Sequence, residues 1–206
     1  MNSAPEAPAR RLVLASDNRG KLAELRMLLA PMHAFVQPQG ALGIAAAEEP
    51  HPTFLENALA KARHAARASG WPALADDSGL CCPALDGAPG VRSARYAGER
   101  SDDAQNNARL LRELHGRQDR RAHYRCVIVA LRFADDPEPL VADGRWDGVI
   151  VDEAQGQGGF GYDPHFWIPS LQATAAQIPA EQKNRISHRG QAMQALAVQL
   201  QERWGW

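Results

Sequence analysis

Short apolar segments that end in polar loops, with amphipathic helical stretches between them, constrain the fold of this sequence more than any other feature. The apolar residues 12–15 run directly into the polar loop 16–21. Leucines at helical spacing follow over residues 22–29, and Pro31 predicts the end of that helix. Strand-length segments that alternate with helices in this way are typical of α/β folds.

Later segments continue the alternation. Residues 53–69 predict a helix that begins with a capping box and carries Leu55, Leu59, Ala62 and Ala66 on its apolar face. Residues 73–75 predict a short strand that leads into an acidic turn. Further along, the sequence predicts a helix from Ser101 or Asp102, an antiparallel pair formed by residues 124–133 and 140–142, another strand at 148–151 and a last helix from near Ser187.

The 206 residues suit one globular domain, 1–206, on which we expect residues 1–10 to form a frayed tail. Lysine and arginine number 23 against 24 aspartates and glutamates, so no global field would draw the protein to nucleic acid or to an anionic membrane. No apolar run approaches the roughly 20 residues that span a bilayer. We therefore expect a cytoplasmic protein without a nucleic-acid or membrane partner, and we expect its three cysteines to be reduced.

The loop 16–21 has the composition of a phosphate-binding site. Ser16, Asn18 and Lys21 place a hydroxyl, an amide and an ammonium group where a helix begins, and the N-terminus of a helix attracts anions. The loop lacks the glycine pattern of a Walker motif. The alternative is that Ser16 or Asn18 only caps the helix.

Two pairs of adjacent acidic residues, Glu48-Glu49 and Asp76-Asp77, are the candidates for a metal site. Burying adjacent carboxylates without a cation is unfavourable, so two such pairs in one cleft would require a divalent ion. Oxygen ligands suit magnesium or manganese, which carboxylates hold together with water and substrate phosphates. The alternative is that the glutamates are solvated and inert.

Residues 158–164 and 183–190 contain the candidates for recognition of a base. Glycines around Phe160 allow the backbone to approach a flat ligand, and the phenyl ring offers a face for stacking. Lys183, His188 and Arg189 supply donors for a carbonyl-rich or anionic ligand. The alternatives are a glycine-rich turn with a core phenylalanine and a basic helix cap. The sequence lacks a Gly-x-Ser-x-Gly elbow, which disfavours covalent catalysis by serine.

In order and spacing, six motifs resemble the dITP/XTP pyrophosphatase family, whose members hydrolyse inosine, deoxyinosine and xanthosine triphosphates to monophosphate and pyrophosphate. The motifs are SxNxxK at residues 16–21, FxENAxxKA at 54–62, ADDSGL at 75–80, GAPGVxSARY at 87–96, GFGYDP at 159–164 and ISHRG at 186–190. They extend over nearly the whole chain, from residue 12 to about residue 200. Residues 48–52 depart from the family's usual acidic-Thr-Gly stretch, and Cys81-Cys82 stands where small apolar residues are usual.

The resemblance implies a two-lobed α/β fold around an elongated mixed sheet flanked by helices, with the active site in the cleft between the lobes. It also implies a homodimer and a magnesium ion. The residues implied for the triphosphate are Ser16, Asp17, Asn18, Arg19, Gly20, Lys21 and Lys61. Those implied for magnesium are Glu48 and Asp77, and Asp77 also matches the acceptor of a proton from water. Further substrate contacts are implied for Ser78, Phe160, Gly161, Tyr162, Asp163, Lys183, His188 and Arg189. Whether Glu48 or Glu49, and Asp76, ligates the metal stays open.

The residues around the base predict a preference for 6-keto purines. Donors on His188 and Arg189 suit the 6-keto oxygen of hypoxanthine or xanthine, whereas adenine presents an amino group there, so ATP should be a poor substrate. Two other functions are compatible with these residues. One is a Maf-like pyrophosphatase that prefers pyrimidine or methylated nucleotides, and the other is a nucleotide-binding sensor without turnover.

Overall fold

The computed structural model of the protein describes residues 10–30 and 34–206. The predicted tail, apart from Arg10, and the helix end predicted at Pro31 lie outside these residues, as do the side chains of Arg19 and Leu28. The helices are α1 (Arg19–Leu29), α2 (Phe54–Ser69), α3 (Asp103–Leu114), α4 (Ala180–Ile186) and α5 (His188–Trp204). The strands are β1 (Arg11–Leu14), β2 (Phe35–Pro38), β3 (Ala73–Cys81), β4 (Arg121–Leu131), β5 (Leu140–Ile150), β6 (Phe166–Ile168) and β7 (Ala173–Thr174).

Within the described residues, the strands form one mixed sheet of seven in the order β2-β1-β3-β4-β5-β6-β7. The strand β1 pairs in parallel with β2 and β3, and every later neighbour is antiparallel. Helices flank this sheet, so the predicted α/β fold with an elongated mixed sheet is confirmed. The predicted pairing of residues 124–133 with 140–142 is confirmed by the long β4–β5 hairpin.

Alternating side chains of the strands divide the first half of the sheet between two apolar layers. Leu12, Leu14 and Ile128 pack with α1 and α5, while Val13 and Val129 pack with α2. This alternation follows from the two-residue repeat of a strand. At the other end of the sheet, a third cluster packs α3 against β4 to β6. The middle of β3 lies between these cores.

The predicted helix starts agree with the structure because polar caps satisfy the first free N–H groups. Asn18, Thr53, Asp102 and Ser187 each accept a hydrogen bond from a backbone N–H in the first turn of their helix. The apolar face predicted for α2 is partly wrong. Leu55 is 44% exposed, and the buried side carries Ala58, Ala62, Ala65 and Ala66 beside Asn57 and Lys61.

Two predicted strand boundaries are also wrong. The strand β3 does not end at Ala75 but continues to Cys81, so the acidic pair lies within the strand rather than in a turn after it. The predicted strands at residues 140–142 and 148–151 belong to one strand, β5. Gly144 interrupts the apolar pattern of β5 because α5 crosses there, and a Cβ at Gly144 would stand 2.0 Å from the carbonyl oxygen of His188.

The three cysteines are free thiols, as predicted. Burial raises the pKa of Cys82 and of Cys126 to about 12. Among residues 10–30 and 34–206, no helix combines the length and the apolar character that a membrane span needs.

Candidate active site

Two adjoining pockets lie along the middle of β3 and share a wall formed by Asn18, Lys21, Ser78 and Ala94. The first, here called the aromatic pocket, is lined among others by Tyr124, Phe160, Gly161, Tyr162, Asp163, Lys183, His188 and Arg189. The second, here called the charged pocket, is lined among others by Ser16, Asp17, Glu49, Lys61 and Asp77. One cleft therefore brings the predicted phosphate, acidic and base-binding residues together.

Apart from Arg19, whose side chain lies outside the described part of the structure, two predicted site residues do not line this cleft. Gly20 lies under the ring of Phe160, where a Cβ would stand 2.7 Å from the ring atom Cδ1. Glu48 is exposed, and its neighbour Glu49 faces the charged pocket instead. The loop that holds the two glutamates has no periodic pattern, so the sequence contained no signal of which one turns inward.

The N-terminus of α1 forms the part of the charged pocket nearest the shared wall. The side chain of Asn18 accepts a hydrogen bond from the backbone N–H of Lys21 at 3.1 Å, and Ser16 Oγ accepts one from the N–H of Asn18 at 3.3 Å. Both the cap and the phosphate-site interpretation of this loop are therefore compatible with the geometry. The Lys21 ammonium group lies 3.1 Å from Asp76 Oδ2 and lines both pockets.

Asp77 and Glu49 face the same lysine in the charged pocket. The Lys61 ammonium group pairs with Glu49 and lies 3.6 Å from Asp77 Oδ1. Burial raises the pKa of Asp77 above its ordinary value, although Lys61 and Lys21 oppose that rise. Burial also acts to raise the pKa of Glu49, but Lys61, Lys21 and Arg95 together outweigh burial and lower that pKa. The pKa values of the two carboxylates thus shift in opposite directions from their ordinary values.

Asp76 points to the opposite face of β3 and is fully buried. Burial alone would raise the pKa of this carboxyl, but the positive charges of Lys21 and Arg189 hold it well below its ordinary value. Arg189 Nε lies 3.5 Å from Asp76 Oδ2, and its NH2 group donates to Ser78 Oγ at 2.9 Å. Asp76 therefore contacts both Lys21, which lines the two pockets, and Arg189, which lines the aromatic pocket.

Phe160 and two cations form the aromatic pocket. The Lys183 ammonium group lies 5.0 Å and the Arg189 guanidinium carbon 5.8 Å from the centre of the Phe160 ring. The adjacent peptide is held from both sides, since Gly161 N–H donates to Asp103 Oδ2 at 2.7 Å and Asn107 Nδ2 donates to the Gly161 carbonyl at 2.9 Å. The loop that carries Phe160 is consequently fixed to α3.

The buried His188 forms one wall of the same pocket. Its ring stacks on Tyr124 with 4.7 Å between ring centres and an angle of 9°. Burial, with the nearby charges of Arg189 and Lys183, lowers the pKa of His188 well below its ordinary value. Its buried Nδ1 has no hydrogen-bond partner among the described residues. A ligand with a complementary donor or acceptor could satisfy that nitrogen.

Sequence reasoning gave no role to several residues that hold this site together. Glu24 is buried between Lys183, 3.2 Å away, and Arg189, with which it forms an ion pair. Its place one turn after Lys21, which ends the first motif, was the one signal that could have indicated this. Arg95 donates to Glu49 Oε2 at 3.3 Å, and no local pattern marks that contact. Tyr124 and Asp103 were equally without a signal, because each reaches the pocket from a distant element.

The donor set of the charged pocket fits a magnesium ion that is shared with a substrate. Within the part of the chain that the structure describes, no three His, Cys, Asp or Glu side chains cluster as a complete metal site. Two carboxylates, Glu49 and Asp77, nevertheless meet on one pocket wall. Magnesium is usually held by one or two carboxylates, with waters and phosphates as its remaining ligands.

Comparison with known proteins agrees with this geometry. The sequence profile of the Ham1 family matches residues 12–199. A dITP/XTP pyrophosphatase of Ralstonia nicotianae is 61% identical over 194 residues, which cover 93% of this chain and 96% of that protein. A dITP/XTP pyrophosphatase of Burkholderia pseudomallei is 56% identical over 204 residues, 98% of each chain. The solved structure of a HAM1 protein from Coxiella burnetii superposes with a TM-score of 0.88 at 47% identity, covering 94% of this chain and 99% of that one. The chain belongs to the Ham1 family.

Proposed function

We propose that this protein hydrolyses noncanonical purine nucleoside triphosphates, such as dITP, ITP and XTP, to the monophosphate and pyrophosphate. One observation carries the proposal: a pocket with an aromatic face and buried donors adjoins a pocket with two lysines and three carboxylates. The aromatic pocket suits the base of a nucleotide, and the charged pocket suits its triphosphate. The relatives at 55–61% identity named dITP/XTP pyrophosphatase support the same substrate class.

The aromatic pocket would bind the base by stacking and by hydrogen bonds. Phe160 supplies the ring face, and Lys183 and Arg189 supply donors for the carbonyl oxygens of hypoxanthine or xanthine. Adenine presents an amino donor at the 6-position, which would leave buried donors unpaired. Such mispairing supports discrimination on the order of 10⁴ against ATP.

The charged pocket would bind the triphosphate. Lys21 and Lys61 neutralise phosphate oxygens, and the free N–H groups at the start of α1 add donors for them. Glu49 and Asp77 would hold magnesium, and Glu49 takes the place that the sequence motif implied for Glu48. When bound, magnesium would supply positive charge to the phosphate groups.

Asp77 would accept the proton of the water that attacks the α-phosphorus. The water oxygen forms the new bond to phosphorus, the bond to the bridging oxygen breaks, and pyrophosphate leaves. The raised pKa of Asp77 makes it a stronger base than an ordinary aspartate. Asp77 lines the charged pocket and not the aromatic pocket, which supports a role at the phosphates rather than at the base. No covalent intermediate is required.

A panel of nucleoside triphosphates, with and without magnesium, tests this function by the release of pyrophosphate. We expect ITP, dITP and XTP to be hydrolysed only with magnesium, and ATP to be hydrolysed poorly. A preference for pyrimidine or methylated nucleotides would favour a Maf-like pyrophosphatase instead. Binding without pyrophosphate release would favour a sensor. Within the same panel, folded Asp77→Asn should lose at least about 100-fold in kcat.

The family resemblance also supports a homodimer, which light scattering coupled to gel filtration tests. A mass near 45 kDa, twice the 22.4 kDa of one chain, is expected. A mass of one chain would contradict the proposed assembly.

A further inference from the structure

The side chain of Asn57 is fully buried on α2 and contacts Asp77. Its Nδ2 group donates to Asp77 Oδ2 at 3.2 Å. Lys61, one turn later on the same helix, approaches the other oxygen of that carboxylate. Residues four apart lie on one side of a helix, so Asn57 and Lys61 of α2 both contact Asp77.

Asn57 also holds the loop that carries Glu49. Its Oδ1 accepts a hydrogen bond from the backbone N–H of His51 at 3.0 Å, and its Nδ2 donates to the carbonyl of His51 at 3.1 Å. Both N–H groups of the amide therefore face acceptors, which fixes its orientation. His51 follows Glu49 by two residues, so one buried amide ties this loop to β3.

The Asp77 carboxylate is restrained at both of its oxygens. Oδ1 accepts the N–H of Ser78 at 3.0 Å, while Oδ2 accepts from Asn57. Without the amide, Oδ2 would have no hydrogen-bond donor among the described residues, and the carboxylate could rotate. Reacting groups need to be held to within about 0.5 Å, and a misplacement of about 1 Å can reduce the rate 100-fold.

We propose that Asn57 is a positioning residue that holds Asp77 and the Glu49 loop in the mutual arrangement that hydrolysis requires. This inference rests on the function proposed above, because it concerns the geometry of the same reaction. It assigns no contact with substrate to Asn57, which lines neither pocket. Its removal should therefore affect turnover and leave nucleotide binding nearly intact.

Two substitutions test the bonds of this amide. Asn57→Ala removes all three of them. Asn57→Leu also removes them but retains most of the side-chain volume and adds no charge, so it provides the result if the alanine variant does not fold. Asp136→Ala is the matched control, because Asp136 is also buried and bridges backbone N–H groups, of Arg132 and Glu138, but lies in neither pocket.

The experiment measures kcat and KM for ITP, the Kd for ITP without magnesium by calorimetry, and the melting temperature of each variant. We expect each Asn57 variant to lose about 10- to 100-fold in kcat, the usual effect of removing a supporting hydrogen bond at such a site. KM and Kd should change less than about threefold, since the lysines and the aromatic pocket are untouched. The control should melt at a lower temperature and keep the wild-type kcat.

Three outcomes would overturn the inference: a wild-type kcat in either folded Asn57 variant, a loss of ITP binding that parallels the loss of kcat, or an equal loss of kcat in the Asp136 control. The wild-type protein in the same assay separates this inference from the proposed function. If wild type releases no pyrophosphate from ITP, the function itself is wrong. If wild type is active and Asn57→Ala is equally active, only the role of Asn57 is wrong.

Discussion

Phe160 rests directly on Gly20, so that a Cβ added to Gly20 would stand 2.7 Å from Cδ1 and 2.8 Å from Cε1 of the phenyl ring. The contact joins the loop of the aromatic pocket to the first turn of α1, which lines the charged pocket. Gly20 is therefore the point where the loop of the aromatic pocket contacts the helix that borders the charged pocket. Its lack of a side chain sets the position of the ring that we propose for stacking.

Gly20→Ala should weaken nucleotide binding without unfolding the protein. Alanine suits a helix better than glycine by about 1 kcal/mol, so the melting temperature should hold or rise. The new methyl group must displace the Phe160 ring, and base stacking is worth about 1–3 kcal/mol, so KM for ITP should rise about tenfold. In a Phe160→Leu background the same change should have little further effect. An unchanged KM in the single variant would contradict the contact.

The two adjacent glutamates should behave differently when each is changed to glutamine. Glu49 lines the charged pocket and pairs with Lys61, whereas Glu48 is exposed. We expect Glu49→Gln to require at least about tenfold more magnesium for half-maximal pyrophosphate release. Glu48→Gln should follow the wild-type magnesium curve and is the matched control. If Glu48→Gln raised the magnesium requirement and Glu49→Gln did not, Glu48 would be the magnesium ligand.

Asp76 should contribute to stability at neutral pH and lose that contribution in acid. Its pKa in the folded protein lies below the ordinary value of 3.8, so the unfolded chain takes up the proton first as pH falls. The contribution is thus present above that ordinary value and disappears as pH falls through the folded one. Asp76→Asn should lower the free energy of unfolding at pH 7 by about 3–5 kcal/mol, as expected when a buried ion pair loses one partner.

Urea unfolding of wild type and Asp76→Asn between pH 7 and pH 2 measures this effect. The difference in unfolding free energy between the two proteins should shrink as pH falls. Asp135→Asn is the control, because its ion pair with Arg67 is exposed and should be worth less than about 1 kcal/mol. A difference that stays constant with pH would contradict the assignment of a low pKa to Asp76.

Leu196→Ala should destabilise the core far more than Val198→Ala on the same helix. Leu196 is fully buried among the residues packed between α5 and the sheet, whereas Val198 is 54% exposed. Cavity formation predicts a loss of about 2–5 kcal/mol for the leucine, and the exposed valine should stay within about 0.5 kcal/mol. Chemical denaturation measures both values. Equal effects would show that α5 does not pack as described.

Local patterns in the sequence predicted most of the helices and the central hairpin, while they misplaced the ends of β3 and β5. Asp76, Asp77 and Ser78 look like a turn, since isolated carboxylates are rarely found within a buried strand. In the structure, Lys21 and Arg189 compensate the charge of Asp76, and Lys61 lies beside Asp77. These cations come from three helices that the local pattern of β3 cannot reveal.

The sequence by itself determined the α/β class, the capped helix starts and the motifs that identify a nucleotide site, because capping and side-chain periodicity depend on neighbours along the chain. Only the tertiary structure decided that Glu49 rather than Glu48 faces Lys61, that Glu24 lies between Lys183 and Arg189, and that Asn57 ties His51 to Asp77. Each of those choices is made by charges and hydrogen-bond partners that are distant in sequence. These ion pairs and hydrogen bonds form only after the helices have packed on the sheet.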